Sequence, residues 1–265
     1  MSCPRGFALI AVLWTVTALA GIVGLAVGAA RLGQQTSLNR LALTRGRWAA
    51  EACLAIAQAR WVQHRLADTA TEDLGRGTRC TWELTDPTAR LNVNTADAIE
   101  LTALLCGSRA AGCPGDSIVA RRRAQPFADL EEVAGVPGVD TTALASLTVD
   151  GPGSVNANAA APAVLLALPG LTPEAIGRLA ESHAVGRPIA SLDALVTAVS
   201  SAASAPLLAH YADLSRELTF AAPVYLLTAR GWVEGIGARD RLAAVTELMI
   251  VPLPDRLAIV RRRLA

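Results

Sequence analysis

The sequence predicts an α+β fold: a long N-terminal helix packed on a small antiparallel sheet, with a large all-α insert of two repeats. Three observations carry that prediction. An uncharged run from Phe7 to Ala30 continues without a proline as far as Thr85. An Asn-x-Asn-x-Ala motif occurs twice, 64 residues apart, in a stretch rich in helix signals. Segments that alternate apolar with polar residues flank that stretch, near residue 80 and beyond residue 220.

The uncharged run comes first. Phe7 to Ala30 is 24 residues, and about 20 cross a hydrocarbon core as helix. The run is too long for the 7–15-residue core of an ordinary signal peptide. A cleaved signal would have to use Ala26 to Ala30, the one passable cleavage site, and a plain signal anchor is the other rival. A third reading resembles the type IV pilin-like signal, in which a short basic leader ends in Gly and a prepilin peptidase cuts before Phe. The leader here is Met1 to Gly6, with the cut between Gly6 and Phe7 and methylation of the new Phe7 amino terminus. Most pilins carry Glu at the fifth mature position. That position is Ala11, and the minor pseudopilin K of type II secretion is the family that generally lacks the Glu. The Val12-Leu13-Trp14 run also resembles its start.

Residues 31 to about 67 continue the helix. Leu38, Leu41, Trp48, Ala52, Ile56 and Ala59 recur at helical spacing and predict one buried stripe. Arg40, Arg45, Arg47, Gln58 and Arg65 fall mostly off it. The whole rod is about 90 Å at ~1.5 Å per residue. Gly46 is its mild weak point.

Gly75-Arg76-Gly77 predicts a turn. Cys80, Trp82 and Leu84 alternate through Thr78 to Leu84, so this is a strand. Asp86-Pro87 ends it, and Arg90 to Asn94 reads as a second short strand.

The repeat follows. Asn92-Val93-Asn94-Thr95-Ala96 matches Asn156-Ala157-Asn158-Ala159-Ala160 at a shift of 64, and Pro126-Phe127-Ala128-Asp129-Leu130 matches Pro188-Ile189-Ala190-Ser191-Leu192 at a shift of 62. Each unit reads as an Asn-x-Asn cap, a helix, a Gly turn, a helix, a Pro-led turn and a helix. The Asn side chains suit helix N-caps, and Gly170 suits a helix C-terminus. Beyond Pro206, Phe220 to Arg230, Arg241 to Val251 and Leu257 to Val260 predict at least three antiparallel strands.

The units look like helix-hairpin-helix modules, on Leu168-Pro169-Gly170-Leu171-Thr172 with Ile176 and Leu179, and on Val133 to Val139. Such modules often hold DNA through hairpin amides, so a membrane-anchored, competence-type DNA-binding protein is the alternative reading. Charge argues against it. Residues 91–215 carry six arginines against twelve acids, a net charge of −6, whereas DNA affinity needs several phosphates neutralised. Pro137 has no N–H to donate, and Thr172 stands where a second hairpin glycine is expected. Arg121-Arg122-Arg123 is the one basic cluster, read as a solvated helix face beside Glu131 and Glu132. No nucleic acid is expected as a partner.

Composition adds limits. The 265-residue chain has 24 basic residues, all Arg, and a formal net charge of +1, so no global field points to an anionic partner. His64, His183 and His210 are isolated. No nucleophile elbow, zinc-protease motif or phosphate loop occurs, so no catalytic residue is expected and the chain is not read as an enzyme. Loss of the leader removes Cys3 and leaves Cys53, Cys80, Cys106 and Cys113. Four cysteines allow three pairings. The glycine-bearing loop between Cys106 and Cys113 favours that pair and leaves Cys53 for Cys80; four buried thiols are the other possibility.

The full layout resembles the type II secretion minor pseudopilin K (GspK) family, most tellingly in Asn156-Ala157-Asn158-Ala159-Ala160 followed by Leu168-Pro169-Gly170-Leu171. The insert is shorter than in typical members. The resemblance implies a pilin-like fold in five segments: 1–6 leader, 7–30 transmembrane half-helix, 31–90 helix and first strands, 91–215 helical insert, and 216–265 closing strands. It implies a structural subunit at the tip of the periplasmic pseudopilus, needed for pseudopilus initiation and for export across the outer membrane. Its partners would be minor pseudopilins I and J and the prepilin peptidase. The helix would cross the bacterial inner membrane once, with the body in the periplasm. Some members bind calcium; no Asp/Asn run here is dense enough to place a site, and no cofactor is expected.

Overall fold

A computed structural model describes residues 5–63, 66–107, 112–234, 244–253 and 256–264, with residues 5–8 and 264 by their backbone. Helix α1 runs from Arg5 to Val62 without interruption. Strands β1 (Thr69–Gly75) and β2 (Thr78–Thr85) follow as a hairpin. The chain then leaves the sheet for a helical excursion. That excursion contains β3 (Leu91–Asn92), α2 (Ala98–Cys106), α3 (Gly115–Ala124), α4 (Leu130–Ala134) and β4 (Leu147–Thr148). It continues with β5 (Val155–Asn156), α5 (Pro162–Ala167), α6 (Pro173–Ala184), α7 (Leu192–Ala198), α8 (Ser201–Ala209), α9 (Tyr211–Glu217) and β6 (Leu218–Thr219). Strands β7 (Tyr225–Val233), β8 (Ala244–Pro252) and β9 (Leu257–Leu264) return to the sheet.

The protein is therefore α+β, a long helix on a small antiparallel sheet with an all-α insert. The five-stranded sheet has the order β1-β2-β7-β8-β9. Strand β2 pairs antiparallel with β7, from Thr78 opposite Val233 to Thr85 opposite Leu226. The insert thus departs and returns at one end of two neighbouring strands, so it interrupts the chain without interrupting the sheet.

Two hydrophobic cores result. One lies between α1 and the sheet, where Cys80 and Trp82, Leu227 and Ala229, and Leu248 and Ile250 face Ala49, Ala50, Cys53, Leu54 and Ala57. Successive strand side chains alternate between faces, so each strand offers every second residue to the helix. The other core is shared by both repeats, with α2 packed on α5 and Leu101, Ile118, Leu147, Leu165, Leu179 and Leu195 buried. Each fully buried Leu or Ile contributes roughly 1.5–3 kcal/mol of transfer free energy.

Several expectations are corrected. The helix ends at Val62 rather than near 67, and β1 is an additional strand. Its Thr-Ala-Thr-Glu-Asp-Leu-Gly sequence has no apolar alternation because it is a largely exposed edge strand. The buried stripe of α1 is also differently phased. Leu38, Leu41 and Trp48 are exposed, Trp48 by 70%. Gly46, Ala49, Ala50, Cys53, Leu54 and Ala57 are buried instead. Small residues win this face because the sheet approaches it very closely, as Gly231 shows below.

The Asn residues of the repeat are not helix caps. Helix α2 is capped by Asp97, in a capping box with Glu100, and α5 begins at Pro162 after Ala161 with no side-chain cap. Helices α4 and α7 are capped by Asp129 and Ser191, which stand at equivalent places in the second matched motif. Gly170 takes φ +90°, but in the turn three residues beyond the end of α5. Thr172 replaces a hairpin glycine because its hydroxyl caps α6 by accepting from the Ala175 N–H.

Candidate functional site

Two features distinguish this molecule: a bare apolar rod and a helical body fastened to the sheet. Along the rod, Leu9, Leu13, Trp14, Leu19, Ile22 and Leu25 are all exposed. This segment is long and apolar enough to cross a membrane, and none of its most apolar window is buried. Exposed leucines continue past it at Leu32, Leu38, Leu41 and Leu43. Gly6 and Phe7 belong to the first two turns of the helix by their backbone. Ala11 is exposed.

The C-terminal half of the rod is locked to the sheet. A Cβ built on Gly231 of β7 would lie 2.1 Å from the Gly46 carbonyl oxygen and 2.5 Å from the Ala50 nitrogen. Only glycine at this strand position lets the helix backbone come so near. Cys53 and Cys80 sulfurs stand 2.04 Å apart, joining α1 to β2. Cys106 and Cys113 sulfurs stand 2.13 Å apart, between α2 and α3. The first pair is fully buried and the second is partly exposed.

The repeat explains its own motifs. Strand β3 lies parallel to β4, and β5 lies parallel to β6, so each unit closes on itself through its Asn-x-Asn strand. Asn94 grips the second matched motif: its Oδ1 accepts from the Phe127 N–H at 2.8 Å and its Nδ2 donates to the Phe127 carbonyl at 3.0 Å. Asn158 does the same to Ile189, at 3.2 and 2.8 Å. Asn158 Nδ2 also donates to the Phe220 carbonyl at 2.8 Å. The first Asn of each motif accepts from the N–H of the second, which sets the turn. The two matched pieces of sequence are thus the two halves of one hydrogen-bonded clasp.

The body is tied to the sheet at two aspartates. Asn156 Nδ2 donates to Asp86 Oδ2 at 2.8 Å. Asp150 is buried and ion-pairs with Arg261 of β9 and, at 3.6 Å, with Arg263. Arg263 also donates to the Ala128 carbonyl at 2.6 Å. Sequence reasoning missed Asp86, Asp150, Arg261, Arg263 and Gly231. A signal existed for the aspartates: the shift of 64 that carries Asn92 onto Asn156 also carries Asp86 onto Asp150.

The basic cluster is a largely solvated face, with Arg121 and Arg123 exposed, but two of its cations also make contacts within the body. Arg122 donates to the Val93 carbonyl at 2.7 Å, and the Arg121 guanidinium lies 5.4 Å from the centre of the Phe127 ring. Both cations therefore serve the body's own packing. His183 and His210 are exposed, and His64 lies outside the described residues. Among the described residues no group of three His, Cys, Asp or Glu is arranged to hold a metal ion. A groove of about 650 Å³ between Pro188–Leu192 and Leu214–Ala221 has no titratable side chain in its lining.

Neither a protein-family model nor a curated protein matches the chain. A solved structure does. It is a chain of the crystal structure of the GspK-GspI-GspJ complex from the enterotoxigenic Escherichia coli Type 2 Secretion System. The TM-score is 0.55 at 14% identity, covering 92% of this chain and 99% of that one. The matched chain is GspK. This chain has the GspK fold. At 14% identity the likeness rests on architecture. The GspK fold accounts for a helical body set between β2 and β7, because 92% coverage cannot be reached by a helix and sheet alone.

Proposed function

We propose that this chain is the minor pseudopilin K of a type II secretion system, a structural subunit at the tip of the periplasmic pseudopilus. In this role it helps to initiate the pseudopilus and so supports export across the outer membrane. The observation that carries the reading is the GspK fold over 92% of the chain, joined to a rod whose apolar surface is uncovered. Lipid would cover Phe7 to Ala30, leaving the body in the periplasm. Helices of minor pseudopilins I and J would cover Leu32 to Leu43, and the solved GspK is itself in a complex with GspI and GspJ. Ala11 carries no charge to pair with the amino terminus of a subunit ahead, which suits a terminal position. The body above the rod would block further stacking. Nothing in this role needs catalysis or a cofactor.

Intact-mass and N-terminal analysis of the membrane-extracted protein tests the reading. The expected mature chain begins at methylated Phe7, after prepilin peptidase cleavage following Gly6. Photo-crosslinkers at Leu38 and Leu41 are expected to capture pseudopilins I and J. A chain that retains Met1 and gives neither adduct would refute the assignment.

The same reading includes two disulfides, as suits a compartment beyond the membrane. Thiol labelling under denaturing conditions is expected to find no free thiol in the mature chain. With graded reductant, Cys106 and Cys113 should label first, because only that pair is reachable by solvent. Early labelling of Cys53 would contradict the close seating of α1 on β2.

A further inference from the structure

The two repeats meet at a cleft of about 350 Å³ that gathers carboxyls from both. Glu100 of α2 is 4% exposed. One of its oxygens accepts from the Asp97 N–H at 2.8 Å, while the Glu100 N–H donates back to Asp97. From the second repeat, Glu217 at the end of α9 lines the same cleft, and its Oε2 is buried with no hydrogen-bond partner among the described residues. Cations also stand near the cleft, and Arg216 lines it, but the closest partners of two of them are other groups. Arg122 of α3 is spent on the Val93 carbonyl and has Arg123 beside it, and Arg216 is paired with Asp213. His210, at the start of α9, is exposed and acts on Glu217. Glu100 is therefore a buried carboxyl that shares its cleft with Asp97 and Glu217 and has no ion-pair partner among the described residues.

We propose that the contact between the two repeats is a proton-sensitive joint, closed while Glu100 carries a proton and loosened when Glu100 ionises opposite Glu217 and Asp97. A protonated carboxyl can still accept from the Asp97 N–H with one oxygen and donate with the other. An ionised one adds a like charge beside Asp97 and Glu217.

Burial, with the Glu217 and Asp97 charges adding to it, pushes Glu100 up to about 7 from an ordinary 4.5, against the Asp97 N–H and Arg122. Burial likewise raises Glu217, with Asp213 and Asp97 adding to it and Arg216 and His210 opposing. The sign follows. The folded joint holds its proton over a range where the opened chain has lost it. Its stabilisation is complete below pH 4.5, is lost as pH rises to about 7, and changes no further above that. One linked proton makes the opening equilibrium rise about tenfold per pH unit across the window.

The test compares thermal unfolding of the full chain in detergent micelles, wild type against Glu100→Gln, from pH 4.5 to 8.5. Gln keeps the acceptor for the Asp97 N–H and cannot ionise. The variant is expected to match wild type at pH 4.5 and to melt progressively higher than wild type up to pH 7. A Tm difference that is the same at pH 5 and pH 8 would overturn the proposal. Glu217→Gln gives a second measurement that does not need the first variant to fold. Removing its charge should move the wild-type loss of stability to lower pH, and an unmoved midpoint would count against the joint. Both outcomes are independent of membrane insertion or secretion, so they stand apart from the pseudopilin assignment.

Discussion

Replacing Arg261 and Arg263 together with alanine is expected to destabilise the body by about 3 kcal/mol. The Asp150 side chain is only 10% exposed, and these two guanidinium groups are its ion-pair partners. Truncating them leaves a carboxylate inside the protein without either of these ion-pair partners. That is the costly direction, because the desolvation of Asp150 persists after its compensation is gone. The arginines are themselves about one-third exposed, which keeps the figure at the lower end for buried pairs. Asp150→Asn in the same background should recover most of the loss, since a neutral amide is cheaper to bury. Denaturant unfolding of the full chain in micelles measures both. The double-arginine variant should also be cut sooner by protease in the linkers at 149–154 and 220–224, because the latch from β9 no longer holds the body. If Asp150→Asn fails to rescue, the ion pair is not what fixes the body to the sheet.

Gly231→Ala is expected to cost about 3 kcal/mol, far more than one methyl group normally does. The added carbon would fall 2.1 Å from the Gly46 carbonyl oxygen and 2.8 Å from the Ala49 Cβ. Two of its three nearest atoms are backbone, so relief requires α1 to lift from β7 rather than a side chain to turn away. Lifting α1 also pulls on Cys53, which is joined to Cys80 on the neighbouring strand. Arg230→Ala, one residue away on the exposed face and, among the described residues, paired with Glu83 alone at 3.4 Å, should cost less than ~1 kcal/mol. Melting temperatures of the two variants check the contrast. Equal, small shifts would mean that the helix is not seated on this strand.

Much of the architecture is legible in the sequence. The uncharged run and the absence of proline predicted α1, and the helix is unbroken through Gly46. The alternation of Cys80, Trp82 and Leu84 predicted β2 and its inward face. Strand β1 was not legible, because an edge strand exposed along most of its length needs no apolar period. Helical spacing places Trp48 on the buried stripe, yet a ring that large cannot enter an interface built for Gly46 and Ala49. The repeat pairs Asn94 with Asn158, but their side chains grip Phe127 and Ile189 rather than helix ends. Asn side chains suit helix starts and loop clasps equally well, and sequence spacing does not distinguish the two.

The sequence by itself determined the long helix, the strands with an apolar alternation, their order, and the twofold character of the insert, because periodicity, turn residues and repeated motifs act over a few residues. Only the tertiary structure decided which side of α1 is buried, what the Asn side chains grip, and how Asp86 and Asp150 moor the body. It alone placed Glu100 and Glu217 in one cleft. Those outcomes depend on contacts such as Asp86 with Asn156 and Asp150 with Arg261, whose partners are far apart in the chain. Their distance, burial and competing charges come into existence only when the sheet and the insert close on each other.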